Sequence, residues 1–192
     1  MEIWVVRHGE TEWSRDKKHT GRTDVPLTAH GEEEARALGR ALGGHPFGRV
    51  LCSPLQRARE TARLAGFGDP EILDLLEEFH YGEYEGRTTQ EIRQKRPGWD
   101  LWSDGCPGGE TATDVARRMD EVLTLVGEPD DDILVFAHGH CLRVLAARYL
   151  SLDREDARLF GLDAGSLSVL GHERETRVIR SWNLTPGYSC FS

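Results

Sequence analysis

The sequence predicts an α/β protein: a three-layer fold whose central sheet is mostly parallel, with helices on both faces. Three observations carry that expectation. Ile3-Trp4-Val5-Val6, residues 49–52 and Ile133-Leu134-Val135-Phe136-Ala137 are short, nearly continuous apolar runs, as expected of strands buried on both sides. Between them apolar residues recur at helical spacing, so strands alternate with helices, the pattern that produces a covered parallel sheet. At 192 residues, with 38% hydrophobic and 30% charged side chains, the chain suits one folded unit spanning residues 1–192 rather than a disordered segment.

Each element has a local reason. Ala35, Leu38, Ala41 and Leu42 share one helical face, as do Val115, Met119, Val122, Leu123 and Val126. Ser53-Pro54-Leu55-Gln56 reads as a helix start, with Ser at the N-cap, Pro at the first helical position and Gln completing a capping box. Residues 142–149 read as a further helix. Near the end, 166–170 and 176–180 alternate as strands around a turn at Gly171-His172-Glu173. Residues 97–109 are rich in Pro, Gly and Trp, and the wider stretch 79–110 reads as an excursion covering a site on the sheet.

Composition excludes several function classes. With 24 basic and 33 acidic residues the formal net charge is −9, which repels nucleic-acid backbones and anionic membranes. No apolar run approaches the roughly 20 residues needed to span a bilayer. The first residues lack the basic and apolar regions of a secretory signal, and Cys52, Cys106, Cys141 and Cys190 form no close pair. These features lead to the expectation of a cytoplasmic protein with reduced thiols, binding neither nucleic acid nor membrane. They are compatible with a homo-oligomer and do not fix a state.

Ligands of open α/β sheets bind beyond the carboxyl ends of the strands. The three clearest strands are followed by Arg7-His8-Gly9-Glu10-Thr11, by Ser53-Pro54-Leu55-Gln56-Arg57, and by His138-Gly139-His140. Basic and imidazole groups thus follow all three exits in an acidic protein, which is what a phosphate dianion requires. Each group alone is weak: a lone histidine after a strand is more often structural, and Arg57, like Arg59 and Arg63, could be a solvated helix residue. His138 and His140 together suggest metal ligation, but no third ligand accompanies them, so no metal or other cofactor is expected. Phosphoryl transfer also needs a proton donor, and an aromatic, partly dry setting raises a carboxyl's pKa into the useful range. Glu77, Glu78, Glu83 and Glu85 lie in such a segment, and spacing does not choose among them.

Taken in order, Arg7-His8-Gly9-Glu10-Thr11, Gly21-Arg22-Thr23-Asp24-Val25-Pro26-Leu27-Thr28, Ser53-Pro54-Leu55-Gln56-Arg57-Ala58, Glu78 with Tyr81-Gly82 and Glu85-Gly86, and Phe136-Ala137-His138-Gly139 make five blocks. With these blocks the chain resembles the histidine phosphatase superfamily, whose fold is phosphoglycerate-mutase-like, from residue 3 to about residue 170. Glu12-Trp13-Ser14, Asp104-Gly105-Cys106 and the His138–Arg143 stretch are similar to a subgroup of broad-specificity acid phosphatases and a sedoheptulose bisphosphatase. The resemblance implies that His8 is the nucleophile, forming a phosphohistidine. It implies that Arg7, Arg57 and His138, with Gly139, hold the phosphoryl group, and that Glu78, four positions before Gly82, is the acid. Ser14 stands where the family often has Asn, and Thr20 where it often has Gln; both positions are carried over as phosphate-binding.

The resemblance implies a hydrolase of small phosphorylated metabolites, with phosphoglycerate mutase and protein phosphohistidine phosphatase as alternatives. A catalytically inactive phospho-ligand module is opposed by the presence of all five chemical residues. A mutase needs extra cations to grip its substrate, and between Glu78 and Arg117 the chain offers Arg87, Arg93, Lys95 and Arg96. Trp13, His19, Arg22, Phe79, His80, Tyr81, Trp99 and Trp102 are the candidate rim residues for substrate choice. An aromatic, mildly basic rim suits a sugar phosphate or a small aromatic phosphate.

Overall fold

In chain order the regular elements are β1 (Ile3–Arg7), α1 (Glu12–Arg15), α2 (Ala29–Leu42), β2 (Arg49–Cys52), α3 (Gln56–Leu64), β3 (Glu71–Ile72), α4 (Thr89–Lys95), α5 (Leu101–Asp104), α6 (Ala112–Val126), β4 (Ile133–Ala137), α7 (Gly139–Tyr149), β5 (Leu167–Glu173) and β6 (Thr176–Leu184). The computed structural model describes residues 2–127 and 131–186. The six strands form one sheet in the order β3-β2-β4-β1-β5-β6. β1 pairs in parallel with β4, and β2 pairs in parallel with both β4 and β3; β5 and β6 complete the sheet as an antiparallel hairpin beside β1. This is the α/β architecture, a mostly parallel sheet, that the strand–helix alternation predicts.

Both faces of the central strands are covered, which explains their unbroken hydrophobicity. Successive side chains of a strand point to opposite faces. Ile3, Val5, Ile133, Val135 and Ala137 accordingly enter one core with Val115, Met119, Leu142 and Leu145 of α6 and α7. Val6, Leu134 and Phe136 enter the other with Leu38, Leu42, Ala58 and Ala62 of α2 and α3. Trp99 and Trp102 of the predicted excursion are buried in the α6–α7 core, where the Trp99 indole donates to the Gly105 carbonyl at 2.9 Å.

Three local expectations are corrected. The helix after β2 begins at Gln56 and has no capping box, because the Ser53 hydroxyl is taken by His138 and by the Leu55 N–H. Its first amide is instead met by the Asp24 carboxylate at 2.9 Å. Gly171, His172 and Glu173 continue β5, and the turn is Arg174-Glu175, where Arg174 takes a φ of 55°. The helix expected over 142–149 starts earlier, at Gly139, so its first turn lies in the site. Of the cysteines, Cys52, Cys106 and Cys141 are buried free thiols, and Cys190 lies outside the described residues.

Candidate active site

The carboxyl ends of β1, β2 and β4 open into a cavity of about 400 Å³, within the usual size of a small-molecule site. His8 follows β1 directly. Its Nδ1 lies 2.8 Å from the Gly9 carbonyl, an acceptor, so Nδ1 carries the proton and Nε2 keeps its lone pair. His8 lines the cavity, and burial together with the Arg57 and Arg7 charges lowers its pKa well below the usual imidazole value. The ring is therefore neutral near pH 7, as a nitrogen nucleophile must be. Backbone packing holds it there: a Cβ on Gly9 would collide with the Gly31 carbonyl, so β1's exit can pass this close to α2 only as glycine.

Arg7 lines the cavity beside His8 and donates from Nη1 to the Leu162 carbonyl. Its Nε is buried without a partner, leaving a donor unspent. Gly139 is needed alongside, since a Cβ there would come within 3.3 Å of Arg7 Cζ. Arg57 and His138 lie directly beneath. The His8 and His138 rings are 5.1 Å apart, and Arg57 Nε donates to His138 Nδ1 at 3.1 Å. With Nδ1 accepting, His138 Nε2 carries the proton and donates to Ser53 Oγ at 2.7 Å. Arg57 spends Nη1 on the Thr23 carbonyl and Nη2 on the Thr20 and Gly21 carbonyls. Both side chains are fully buried. The resemblance assigns them to the phosphoryl oxygens; the structure brings them to the site but offers the phosphoryl group no free nitrogen of His138.

Glu78 occupies the opposite wall. Oε1 accepts from the Phe79 and Cys141 amides at 2.8 and 2.9 Å, and Oε2 from the His140 amide at 2.9 Å. His138, at the N-cap of α7, makes no side-chain cap, so the Glu78 carboxylate caps that helix from a distant segment. This separates it from the other three candidates. Glu77 faces Arg22 at 3.7 Å, and Glu85 accepts from the Gly21 and Thr23 amides, bracing the loop that holds Arg57. Neither they nor Glu83 line the cavity.

Ser14 and Thr20 do line it, but their hydroxyl protons are committed. Ser14 Oγ donates to the Thr11 carbonyl and accepts from the Thr11 amide in the capping box of α1, and Thr20 Oγ donates to the Lys18 carbonyl. A hydroxyl is shorter than the amide side chain it replaces, and here it closes a local ring.

Of the expected rim residues, His19 and Tyr81 line the cavity. Phe79 and Trp99 are core, Arg22 is exposed beside Glu77, Trp13 packs against Gly86, and His80 joins Glu110 through its backbone. Burial of His19 lowers its pKa to about 4. The spacing argument missed Arg15, Lys17, Lys18 and Arg143, which also line the cavity. With Arg7 they make five cations against the three carboxylates Glu10, Glu78 and Asp163, a local positive field on an acidic protein. Also missed was Arg118, which pairs with Glu110 at 2.8 Å and donates to the Leu75 and Glu77 carbonyls, pinning the segment that carries Glu78. Among the described residues no group of three or more His, Cys, Asp or Glu side chains converges as a metal site, and no helix is long and apolar enough to cross a membrane.

Comparison with known proteins shows the family. Residues 3–185 match the model of the histidine phosphatase superfamily, branch 1. An acid phosphatase of Mycobacterium tuberculosis is 38% identical over 189 residues, covering 95% of this chain and 92% of the relative. Sedoheptulose 1,7-bisphosphatase of Saccharomyces cerevisiae is 34% identical, covering 77% and 67%. A solved structure of an open reading frame product from Mycobacterium tuberculosis superposes with a TM-score of 0.92 at 36% identity, over 96% of this chain and 98% of that one. The chain belongs to the histidine phosphatase superfamily, and it is a phosphatase.

Proposed function

We propose that this phosphatase hydrolyses monoesters of small phosphorylated metabolites, without a metal ion, through a phosphohistidine at His8. The observation that carries the reading is the tautomer of His8: its Nδ1 proton is held by the Gly9 carbonyl, and the basic Nε2 belongs to a side chain lining the cavity. In the first step Nε2 attacks phosphorus, and the P–O ester bond breaks with its electron pair on the leaving oxygen. A carboxyl offers about four lone-pair sites. Three of Glu78's are engaged by amides, so the remaining site, on Oε2, seats the proton passed to that oxygen. In the second step water attacks phosphorus and gives a proton back to Glu78. The P–N bond breaks, its pair returns to Nε2, and inorganic phosphate leaves.

The unspent Nε of Arg7 and the charge of Arg57 beneath it support this reading, because phosphoryl transfer is catalysed mainly by positioning and charge stabilisation. The five cations of the cavity wall favour an anionic metabolite. Two phosphatase relatives, one named for a sugar bisphosphate, point the same way. The test is rapid-quench labelling with a ³²P-monoester in metal-free buffer, with and without 2,3-bisphosphoglycerate. The expected result is a base-stable, acid-labile label on wild type that is lost in His8→Ala together with turnover. A label that survives acid, or turnover that needs a divalent metal, would refute the mechanism, and strict dependence on the bisphosphate would favour a mutase.

A further inference from the structure

Beside Glu78 in the cavity wall stands a further histidine with no part in the steps above. His140 lies in the first turn of α7, lines the cavity, and meets Trp102 at 5.4 Å, Tyr81 at 5.8 Å and His19 at 6.0 Å between ring centroids. Its backbone amide donates to Glu78 Oε2, so its position is tied to the proposed acid. The Tyr81 hydroxyl lies 2.6 Å from His140 Nδ1, and Tyr81 is itself buried and stacked on Phe79 at 5.5 Å. A phenol is the stronger O–H acid and an imidazole nitrogen the stronger base, so Tyr81 donates and Nδ1 accepts. The Glu78 carboxylate, 3.9 Å from the same nitrogen, is beyond hydrogen-bond reach.

Burial, Arg143 and His19 lower the His140 pKa, and burial holds the Tyr81 proton in place, so the neutral pair persists across the working range. A neutral imidazole that accepts at Nδ1 must carry its proton at Nε2. The charged and titratable groups acting on the ring are Arg143, which stacks on Trp102 at 4.8 Å, Arg7, His19, Tyr81 and Glu78; none of them bonds Nε2.

We propose that His140, set as its Nε2–H tautomer by the Tyr81 hydroxyl, donates to a hydroxyl of the leaving alcohol and selects polyol and sugar phosphates over simple alkyl phosphates. This rests on the phosphatase reading and assigns its leaving-group specificity. A neutral hydrogen bond contributes about 1 kcal/mol net, up to about 1.5, so the expected selectivity is about five- to tenfold.

The experiment compares kcat/KM for glycerol 3-phosphate and n-propyl phosphate, whose leaving alcohols differ in neighbouring hydroxyls. His140→Phe keeps a ring and the amide that meets Glu78. In this variant the glycerol-to-propyl ratio falls about five- to tenfold from wild type; in Tyr81→Phe, which removes only the hydroxyl, it falls by a smaller factor. The ratio is independent of the fraction of active enzyme, so partial unfolding does not mimic the effect. A ratio unchanged within twofold in His140→Phe, including equal losses on both esters, overturns the inference while leaving the phosphatase reading intact. Failure of wild type to hydrolyse p-nitrophenyl phosphate as well as both esters overturns the two together. ¹⁵N–¹H correlation spectra give a second readout: a pyrrole-type nitrogen at His140 Nε2 is expected, and protonation at Nδ1 instead overturns the proposal.

Discussion

Replacing Glu78 by glutamine separates two jobs, the helix cap that the structure places on this side chain and the acid role proposed for it. The carboxylate accepts three amide hydrogen bonds and caps α7; a carboxamide has one oxygen, so its NH2 must face a backbone N–H. If the oxygen keeps the Phe79 and Cys141 amides, the His140 amide is left without an acceptor. A buried donor left unmet costs about 1–3 kcal/mol, and the lost charge at a partly buried helix N-terminus adds about 0.3–2 kcal/mol. The expected destabilisation is therefore about 1–5 kcal/mol, which for a chain of this size lowers Tm by about 3–20 °C. Kinetics read the second job. A positioned acid is worth about 10²–10⁴-fold where the leaving oxygen needs a proton, and little for p-nitrophenolate, which does not. Glu78→Gln should lower kcat/KM on glycerol 3-phosphate by at least about 10² and on p-nitrophenyl phosphate by less than about tenfold, measured below the variant's melting range. A Tm within about 1 °C of wild type would refute the capping argument, and equal losses on both substrates would refute the acid.

Three further outcomes follow from the same geometry. His8, His19, His138 and His140 all have pKa values depressed by burial, so the unfolded chain takes up protons first and stability falls as pH drops below about 6.5. For His19 the loss at pH 5.5 is about 1.4 kcal/mol, with no more added below about pH 4, and His8, His138 and His140 act in the same direction; a urea midpoint that does not move between pH 7.5 and 5.5 would contradict this. Ser53→Ala leaves the His138 Nε2 proton unmet in a dry site, costing about 1–3 kcal/mol of stability in urea titration. Restoration by Ser53→Thr would tie the loss to the hydroxyl. Gly31→Ala puts a methyl group into the Glu10 carbonyl beside the nucleophile's loop, and is expected to cost at least about 1–3 kcal/mol and to lower kcat more than KM rises, checked by melting and steady-state kinetics.

What could be read in advance divides along the range of the interactions concerned. β1, β2 and β4 were legible because both of their faces are covered, so hydrophobicity is continuous and survives any register. The start of α3 was not, although Ser53-Pro54 carries a strong local signal, because the hydroxyl that would cap it is claimed by His138, 85 residues away. α1 and β3 were missed for a plainer reason: four and two residues hold too little periodicity to register.

The site divides the same way, and Glu78 shows why. Nothing within 77–85 distinguishes it from its neighbours; what does is the start of α7, some 60 residues on, whose amides find no cap of their own and take its carboxylate. The arrangement couples the parts of the site. The α7 residues that hold Glu78 through their amides include His140, whose ring faces the leaving-group side, and they follow His138, whose ring joins Arg57 under His8. Arg57 is held in turn by carbonyls of the loop that Glu85 braces. A shift of α7's first turn would therefore move the proposed acid, the floor beneath the proposed nucleophile and the proposed leaving-group wall together. This accounts for a catalytic set drawn from three strand exits on one sheet edge, with a single helix start tying them to one geometry.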